Sequence, residues 1–413
     1  MEKIILVATC LPHTLDFEES INEMKELALA CNKEVVHVIT QNLPSANKKF
    51  YVNSGKIEEV RAYALENEID TLLFASSLSP SQLRNISNFT GCTIYDKSDL
   101  ILEIFAMRAK SKEAKLQVEC AQLKYSLPRL VGSYEHMDRQ RGGDKNKGAG
   151  EKKLELDARR IEQRIQALEK ELKQIETQRS VQRRLRKKNQ TKSAALVGYT
   201  NAGKSSIMNG CMCYLNKTDK DVFEKDMLFA TLTTSIRNIT LESKNAFTLS
   251  DTVGFISDLP HALIEAFKST LEEAKESDLL IEVIDASTQE KDRHMAVCKQ
   301  TLEEIGCADK EVLYVFNKCD LANITYPYVE ENRVYICAKE EASIQFLLTE
   351  IEKRLFTSIL TTILLPYDKG SLLNTLNTKC NILVQDYKED GIYLEVNMPN
   401  EFLYLVEDYM LEK

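Results

Sequence analysis

A glycine-rich stretch with the spacing Gly-x-x-x-x-Gly-Lys-Ser occupies residues 198–205. The apolar run 193–197 before it has the composition of a strand, and a helical pattern follows it. In that setting the backbone N–H groups of the loop point at the α- and β-phosphates of a nucleotide, while the lysine reaches the outer phosphates and the serine hydroxyl ligates Mg²⁺. The alternative is a glycine-rich turn that only begins a helix. The predicted phosphate site consists of Gly198, Tyr199, Thr200, Asn201, Ala202, Gly203, Lys204, Ser205 and Ser206.

A second segment with phosphate chemistry is Asp251-Thr252-Val253-Gly254, at the end of the apolar run 247–250. Its carboxylate is predicted to join Ser205 around Mg²⁺, and the N–H of Gly254 is predicted to meet the γ-phosphate. We therefore expect a γ-phosphate sensor in which Lys204 and Gly254 act on the reacting group.

Two further segments predict which base is bound. Asn317-Lys318-Cys319-Asp320 ends the apolar run 312–316, and Cys337-Ala338-Lys339 follows the run 334–336. A carboxylate at Asp320 accepts from both N1–H and the 2-amino group of guanine, a pair that adenine does not offer, and a site built on such bonds rejects the analogue that lacks them. The motifs occur in a fixed order, each after an apolar strand, and together they predict GTP as the ligand.

The first 97 residues alternate between strand-like runs (4–8, 35–39, 71–75, 93–95) and helix-like runs (17–30, 57–65, 80–86). This alternation predicts a small α/β domain with a parallel sheet. Asn53-Ser54-Gly55-Lys56 has the tail of a phosphate loop without its first glycine. We interpret it as a helix start, with a second nucleotide site as the alternative.

Residues 98–191 predict a helical hairpin. Apolar residues recur at helical spacing from Leu102 to Leu123, and those from Leu154 to Ile175 step by four and three in turn. Such a seam favours an antiparallel coiled coil of two helices. The segment Leu127 to Gly150 between them is rich in glycine and in basic residues, Arg129 included. We expect it to be a long tip loop that is either functional or disordered.

The hairpin also holds the positive charge of an acidic chain. The net charge is −9, yet residues 108–192 contain 24 Lys and Arg against 12 Asp and Glu, so this stretch carries +12 and the remainder carries −21. A basic module inside an acidic protein favours contact with a polyanion such as RNA, and a solvated helical face is the alternative.

The rest of the sequence predicts a GTPase domain at 192–357 and a small α+β domain at 358–413. Within the former we expect a hairpin of strands 239–241 and 246–249 and a later strand at 279–284. In the latter we expect a strand at 359–365, helices at 371–376 and 402–411, and a hairpin turning at 389–391. The fold class is therefore α/β and multidomain. The eleven cysteines lack any Cys-x-x-Cys, and no apolar run reaches the length of a membrane span, so we expect a reduced cytoplasmic protein with no membrane partner.

Several segments carry a family resemblance beyond these motifs. They are Phe229-Ala230-Thr231-Leu232, the run from Phe255 to His261, the run from Leu78 to Ile86, and the run from Ala114 to Glu119. Together with the phosphate loop they resemble the ribosome-associated GTPases of the HflX family, from near residue 1 to the end of the GTPase domain. The resemblance implies a GTP-hydrolysing factor that binds the large ribosomal subunit and its RNA and splits or rescues stalled or idle ribosomes. We expect a monomer with no DNA partner.

The resemblance also implies roles for single residues. Thr231 resembles the switch threonine that completes the Mg²⁺ shell when GTP is bound, and so belongs to the metal and catalytic sets. Asn201 resembles the phosphate-loop asparagine of GTPases in which K⁺ replaces an arginine finger. Phe255 occupies the position where many GTPases carry a water-orienting glutamine, which implies slow intrinsic hydrolysis.

The chain departs from the family pattern at two places. Thr233 follows Leu232 where the family usually has Asp, and Gly142-Gly143-Asp144 replaces Gly-Gly-Ile in the tip loop. Ribosome binding tolerates these changes more easily than a specific action at the peptidyl-transferase centre does. The alternative functions are a GTPase acting on tRNA or in ribosome assembly, and a GTP-switched scaffold without ribosome-splitting activity.

Overall fold

The computed structural model describes residues 1–12, 16–132, 147–188, 191–216, 235–256, 272–356 and 358–411. Among these residues, one compact unit holds Met1–Val181 and a second holds those from Gln182 onward. Both units contain a largely parallel sheet with helices, and the second also contains a small antiparallel sheet. The predicted α/β, multidomain class is confirmed. In the described parts of the chain, no helix is long and apolar enough to cross a bilayer.

The N-terminal sheet has four parallel strands in the order β2-β1-β3-β4, as the alternating pattern predicts. Residues 4–8 of β1 are all buried, which is typical of a parallel strand covered on both faces. The helix at Asn53-Ser54-Gly55-Lys56 begins at Ser54, so the helix start is confirmed. The elements are β1 (Glu2–Cys10), α1 (Phe17–Ala30), β2 (Lys33–Asn42), α2 (Ser54–Glu66), β3 (Thr71–Phe74), α3 (Pro80–Thr90) and β4 (Thr93–Asp96).

Three helices follow: α4 (Lys97–Arg108), α5 (Lys112–Gly132) and α6 (Lys147–Lys188). The run of apolar residues from Leu102 to Leu123 thus belongs to two helices rather than one. Ala109 has extended backbone, and the Ser111 hydroxyl accepts from the Ala114 N–H at 3.1 Å, which caps the new helix.

Helices α5 and α6 pack antiparallel along the predicted seam. Arg164 pairs with Glu119 at 2.7 Å and Lys112 with Glu171 at 3.7 Å. Seven residues toward the N-terminus of α5 thus correspond to seven residues toward the C-terminus of α6, as in an antiparallel pair. These pairs are exposed and stabilise little. The apolar seam holds the helices together, and it consists of Leu116, Cys120, Leu123, Leu127, Ile161, Ile165, Leu168, Leu172 and Ile175.

The prediction of a loop from Leu127 to Gly150 is wrong at both ends. The helix α5 continues to Gly132, and α6 already begins at Lys147. The rest of the predicted tip, residues 133–146, lies outside the described residues.

Arg129 is also not a basic residue of a loop. Its guanidinium donates to Asp99 at 2.8 Å and to Asp96 at 2.6 Å, and its plane lies over the Tyr125 ring. Asp96 is fully buried and caps α4 together with Asp99. Burial and the neighbouring Asp96 charge raise the pKa of Asp99 to about 6, against the lowering effect of Arg129. The arginine therefore neutralises two acids inside the protein.

The second unit is built on a seven-stranded sheet in the order β10-β11-β9-β8-β5-β7-β6, parallel except for β6 and β10 at its two edges. The predicted β6–β7 hairpin and the later strands are confirmed. A helix, α7, follows β5 directly. The elements are β5 (Lys192–Gly198), α7 (Lys204–Asn216), β6 (Ser235–Thr240), β7 (Ala246–Asp251), β8 (Leu279–Asp285), α8 (Lys291–Glu304), β9 (Val312–Asn317), α9 (Cys319–Ala322), β10 (Tyr328–Glu330), β11 (Arg333–Tyr335) and α10 (Glu341–Leu355).

The C-terminal part forms an antiparallel sheet of β12 (Ser358–Leu365), β14 (Gly391–Pro399) and β13 (Asn381–Lys388), with α11 (Gly370–Lys379) beside it. The predicted hairpin at 389–391 joins β13 to β14. The predicted final helix at 402–411 is wrong, because Asn400–Leu405 and Glu407–Tyr409 form two short 3-10 helices. Leu403, Leu405, Val406 and Tyr409 pack onto this sheet, and Leu411 bonds back to Thr362, so contact with the sheet replaces regular helical winding.

Candidate nucleotide-binding site

Four predicted segments meet at the carboxyl ends of parallel strands. Residues 198–205 follow β5, Asp251 to Gly254 end β7, Asn317 to Asp320 end β9, and Cys337 to Lys339 follow β11. In open α/β sheets this edge is where ligands bind, because loops and helix starts open there.

The loop 198–205 adopts a backbone that only selected residues can take. Gly198 has φ 141° and Gly203 has φ 98°, and Asn201 has φ 61°. A Cβ atom on Gly198 would lie 2.3 Å from the Val283 carbonyl oxygen, and one on Gly203 would lie 2.1 Å from the Asn317 amide nitrogen. Both glycines are therefore required by space as well as by conformation.

Lys204 is 6% exposed and its ammonium donates to the carbonyls of Gly198, at 3.0 Å, and Tyr199, at 2.7 Å. Burial lowers the pKa of Lys204, and the nearby Asp251 carboxylate acts in the opposite direction. The side chain thus lies curled inside the loop that it is predicted to serve, with its charge held at the centre of the loop.

The two described candidates for Mg²⁺ lie side by side. The Ser205 hydroxyl donates to Asp251 Oδ2 at 2.7 Å. Hydroxyl and carboxylate oxygens are the donors that Mg²⁺ prefers, so this pair fits the metal. The third candidate, Thr231, lies outside the described residues. Thr252, in contrast, turns its hydroxyl to the Leu196 carbonyl at 2.7 Å and so fixes β7 to β5.

Gly254 and Phe255 lie against the phosphate loop. Phe255 donates its N–H to the Gly198 carbonyl at 3.0 Å, and its own carbonyl accepts from the Thr200 N–H at 2.8 Å. The Phe255 side chain is 2% exposed. It is therefore part of the core and holds no polar group toward the phosphates, in keeping with the prediction that it does not orient water.

Asn317 links the base-recognition segments to the phosphate loop. Its side-chain nitrogen donates to the Ala202 carbonyl at 3.0 Å, and its side-chain oxygen accepts from the Ala338 N–H at 2.9 Å. Lys318 pairs with Asp285 at 2.8 Å, and the Lys339 side chain is exposed.

Asp320 is exposed, as a group that meets a base must be, and the buried Cys337 thiol lies close enough to feel its charge. Burial raises the pKa of the Cys337 thiol, and the Asp320 carboxylate adds to this effect. The predicted site residues that the structure describes thus all lie at strand ends, loops or helix starts along this edge of the sheet.

Two residues near the site are missing from the sequence-based prediction. Glu282, 3% exposed on β8, lies beside the Cys298 thiol, and burial raises the pKa of Glu282 to about 7. His294 stacks on the Tyr199 ring with centroids 3.7 Å apart. A signal for Glu282 exists in the sequence, since a carboxylate interrupts the apolar run 279–284, whereas His294 has none.

Models of three protein families match consecutive parts of the chain. Residues 18–106 match the family described as GTP-binding GTPase N-terminal, and residues 108–186 match GTP-binding GTPase Middle Region. Residues 193–318, which contain the phosphate loop and Asn317, match the family described as 50S ribosome-binding GTPase.

Curated relatives match over nearly the full length. The GTPase HflX of Caldanaerobacter subterraneus subsp. tengcongensis is 40% identical over 411 residues, which cover 99% of this chain and 94% of the relative. The GTPase HflX of Escherichia coli is 35% identical over 406 residues, which cover 96% of this chain and 94% of the relative. A solved structure of a GTP-binding protein from Sulfolobus solfataricus in complex with GDP is 28% identical with a TM-score of 0.45, covering 85% of this chain and 100% of that one.

Proposed function

The chain belongs to the HflX family of GTPases, and we propose that it uses the binding and hydrolysis of GTP to act on the large ribosomal subunit. In this proposal GTP selects the form that associates with the subunit and its RNA, and the association splits or rescues stalled or idle ribosomes. The observation that carries the proposal is the match of residues 193–318 to a family described as 50S ribosome-binding GTPase.

The charge distribution supports an RNA partner for the hairpin. Residues 108–192 carry +12 on a chain of net charge −9. Some of these basic side chains already pair with acidic side chains of the protein, as Arg129 does with Asp96 and Arg164 does with Glu119. Other basic side chains of α6 remain exposed, among them Arg159, Lys170 and Lys173. Such groups favour a polyphosphate backbone through Coulomb attraction and release of its counterions.

The residues of the site have distinct parts in GTP hydrolysis. The loop N–H groups and the Lys204 ammonium bind the phosphates and offset their charge, while the Gly254 N–H meets the terminal phosphate. The exposed Asp320 carboxylate reads guanine. Asn317 keeps the two parts in register through its bonds to Ala202 and Ala338.

We include Mg²⁺ and K⁺ in the proposal. Ser205 and Asp251 fit Mg²⁺ by the chemistry of their oxygens, with Thr231 as the further candidate; the ion when bound offsets charge on the outer phosphates. Asn201 is exposed on the loop surface in the left-handed region, where its amide oxygen is open to a monovalent cation. The family resemblance, rather than a contact, suggests K⁺.

Sedimentation with purified ribosomal subunits tests the proposal. The protein should pellet with the large subunit in a non-hydrolysable GTP analogue and much less in GDP. A triple variant in the predicted tip segment, Arg139→Gln with Arg141→Gln and Lys145→Gln, should lower the slope of log affinity against log salt by about 2–3, since each lost phosphate contact contributes slightly less than one.

A matched variant removes the same charge from exposed positions outside residues 108–192, with Lys25→Gln, Lys299→Gln and Lys369→Gln. If the tip contacts the RNA, this control should keep the salt slope of the wild type. Equal binding of the wild type to both subunits, or to neither in any nucleotide, would refute the large subunit as partner. Equal slopes for all three proteins would exclude the tip as the RNA contact.

A further inference from the structure

Thr200 holds a polar group to which no other described residue bonds. The residue is 7% exposed, and its hydroxyl oxygen is buried with no hydrogen-bond partner among the described residues. A buried hydroxyl without a partner costs free energy, so native proteins rarely keep one unless a ligand or a functional step uses it. The groups around Thr200 indicate which ligand that is.

The Thr200 side chain lies where three groups of the phosphate site meet. A Cβ atom on Gly254 would come 2.8 Å from Thr200 Cγ2 and 3.0 Å from the Lys204 ammonium nitrogen. The Thr200 N–H is held by the Phe255 carbonyl at 2.8 Å, which fixes the residue against this segment. In P-loop GTPases the lysine of the phosphate loop and the glycine at the position of Gly254 both contact the γ-phosphate. Thr200 therefore lies on the side of the site where this phosphate reacts.

The usual source of a water-orienting side chain is absent at this point. Phe255 is apolar, 2% exposed, and uses its backbone to pair with Gly198 and Thr200. Among the described side chains that meet around Gly254, Lys204 supplies charge and already donates to two carbonyls. Thr200 supplies the uncommitted polar atom.

We propose that the Thr200 hydroxyl holds the water that attacks the γ-phosphate and thereby acts in catalysis. A hydroxyl can accept a hydrogen bond from that water and donate its own proton to a γ-phosphate oxygen at the same time. The water oxygen forms a bond to the γ-phosphorus, the bond from this phosphorus to the β–γ bridging oxygen breaks, and GDP leaves. Both protons of the water leave with inorganic phosphate, one on the attacking oxygen and one on another phosphate oxygen, and Thr200 keeps its own.

Two substitutions separate the hydroxyl from the methyl group that packs on Gly254. Thr200→Val keeps the shape and removes the hydroxyl, and it should slow single-turnover hydrolysis about 10- to 100-fold, in the lower range for loss of a positioned polar group. Its affinity for GDP should stay within about twofold, since GDP has no γ-phosphate. Thr200→Ser keeps the hydroxyl and should hydrolyse GTP within about threefold of the wild-type rate.

The control is Thr301→Val in α8, which also removes a buried hydroxyl, one that bonds to the Val297 carbonyl at 2.8 Å away from the site. This variant should keep the wild-type rate. The inference is overturned if Thr200→Val hydrolyses GTP at the wild-type rate, or if its affinity for GDP falls as much as its affinity for GTP. It is also overturned if Thr200→Ser hydrolyses GTP as slowly as Thr200→Val. It rests on GTP hydrolysis alone, so these assays contain no ribosomes and their failure leaves the ribosome proposal untouched.

Discussion

The side-chain amide of Asn317 donates to the carbonyl of Ala202 at 3.0 Å and so ties the end of β9 to the phosphate loop. The same side chain accepts from Ala338, so one residue sets the distance between the phosphates and the base. Space for this amide exists because residue 203 has no side chain.

Gly203→Ala should therefore damage both ends of the site. The new Cβ would lie 2.1 Å from the Asn317 amide nitrogen, at a φ of 98° that alanine rarely adopts. We expect the affinities for GTP and GDP to fall about tenfold or more, as for strain of 1–3 kcal/mol at a functional loop. Gly55→Ala is the control, because nothing lies within 4 Å of its new Cβ. Nucleotide titration by fluorescence measures both, and normal binding by Gly203→Ala would refute the role of this contact.

Asp320→Asn should exchange the preferred base. An amide cannot accept from N1–H and the 2-amino group together, but it can donate to the 2-oxo group of xanthine, so affinity should move from GTP toward XTP. The exposure of Asp320 means that the fold should survive the change. Competition of both nucleotides against a labelled GTP analogue measures the shift. Unchanged GTP affinity would remove Asp320 from the base site.

Ser205→Ala should raise the Mg²⁺ concentration needed for GTP binding. The variant removes one of two hard oxygen donors that lie 2.7 Å apart, Ser205 Oγ and Asp251 Oδ2. Affinity for GTP in excess chelator should change little by comparison. An Mg²⁺ titration of GTP binding that superimposes on that of the wild type would show that this hydroxyl does not ligate the metal.

K⁺ in place of Na⁺ should accelerate GTP turnover through Asn201. The gain should be tenfold or more, yet below the roughly 10³–10⁵-fold of an arginine finger. Asn201→Gly suits the test better than alanine, because glycine accepts the φ of 61° at this position. It should remove the difference between the salts while nucleotide binding persists. Equal rates of the wild type in both salts would rule out a monovalent cofactor.

Glu282→Gln should stabilise the protein at high pH. Burial raises the pKa of Glu282 to about 7, so the folded state binds this proton more tightly than the unfolded state does. The stability contributed by the protonated carboxyl is full below its usual pKa of 4.5 and is lost as the pH rises through about 7. Cys298 lies beside the group, and Tyr314 is its register partner on β9.

A pKa that is higher by two to three units corresponds to about 3 kcal/mol. Melting curves from pH 5 to 8 should show the wild type losing stability relative to Glu282→Gln. Glu350 is the control, because its bonds to Lys353 and Arg354 lower its pKa although burial opposes them, and Glu350→Gln should destabilise the protein at neutral pH. Parallel curves for the wild type and Glu282→Gln would show that the carboxyl is not buried as described.

The strands and the motifs at their ends follow from sequence because both depend on local pattern. Apolar runs such as Val312 to Phe316 become buried parallel strands, and a motif at such an end must lie at the ligand-binding edge of the sheet. The contact between Asn317 and Ala202 is different in kind. It depends on how two loops 115 residues apart approach each other, which spacing along the chain does not encode.

The charge count of residues 108–192 wrongly assigns Arg129 to a basic loop, again because its contacts join segments that are far apart along the chain. Its partners Asp96 and Asp99 lie about thirty residues earlier, so a local window shows an arginine in a basic stretch. The predicted helix at 402–411 is wrong although the apolar residues from Phe402 to Tyr409 fit a helical pattern. Contact with β12 and β14 determines their backbone conformation instead.

The bond between Arg129 and Asp96 determines how this protein can be divided for study. A fragment that stops before α5 would leave the buried carboxylate of Asp96 and the partly buried carboxylate of Asp99 without their cation, and it would uncover the side of α4 on which α5 packs. Removing one partner of a buried pair commonly costs more than the pair contributes. A soluble N-terminal fragment should therefore extend to about Val181, where the first compact unit ends. Poor expression of a shorter piece would say nothing about whether the N-terminal sheet has an activity of its own.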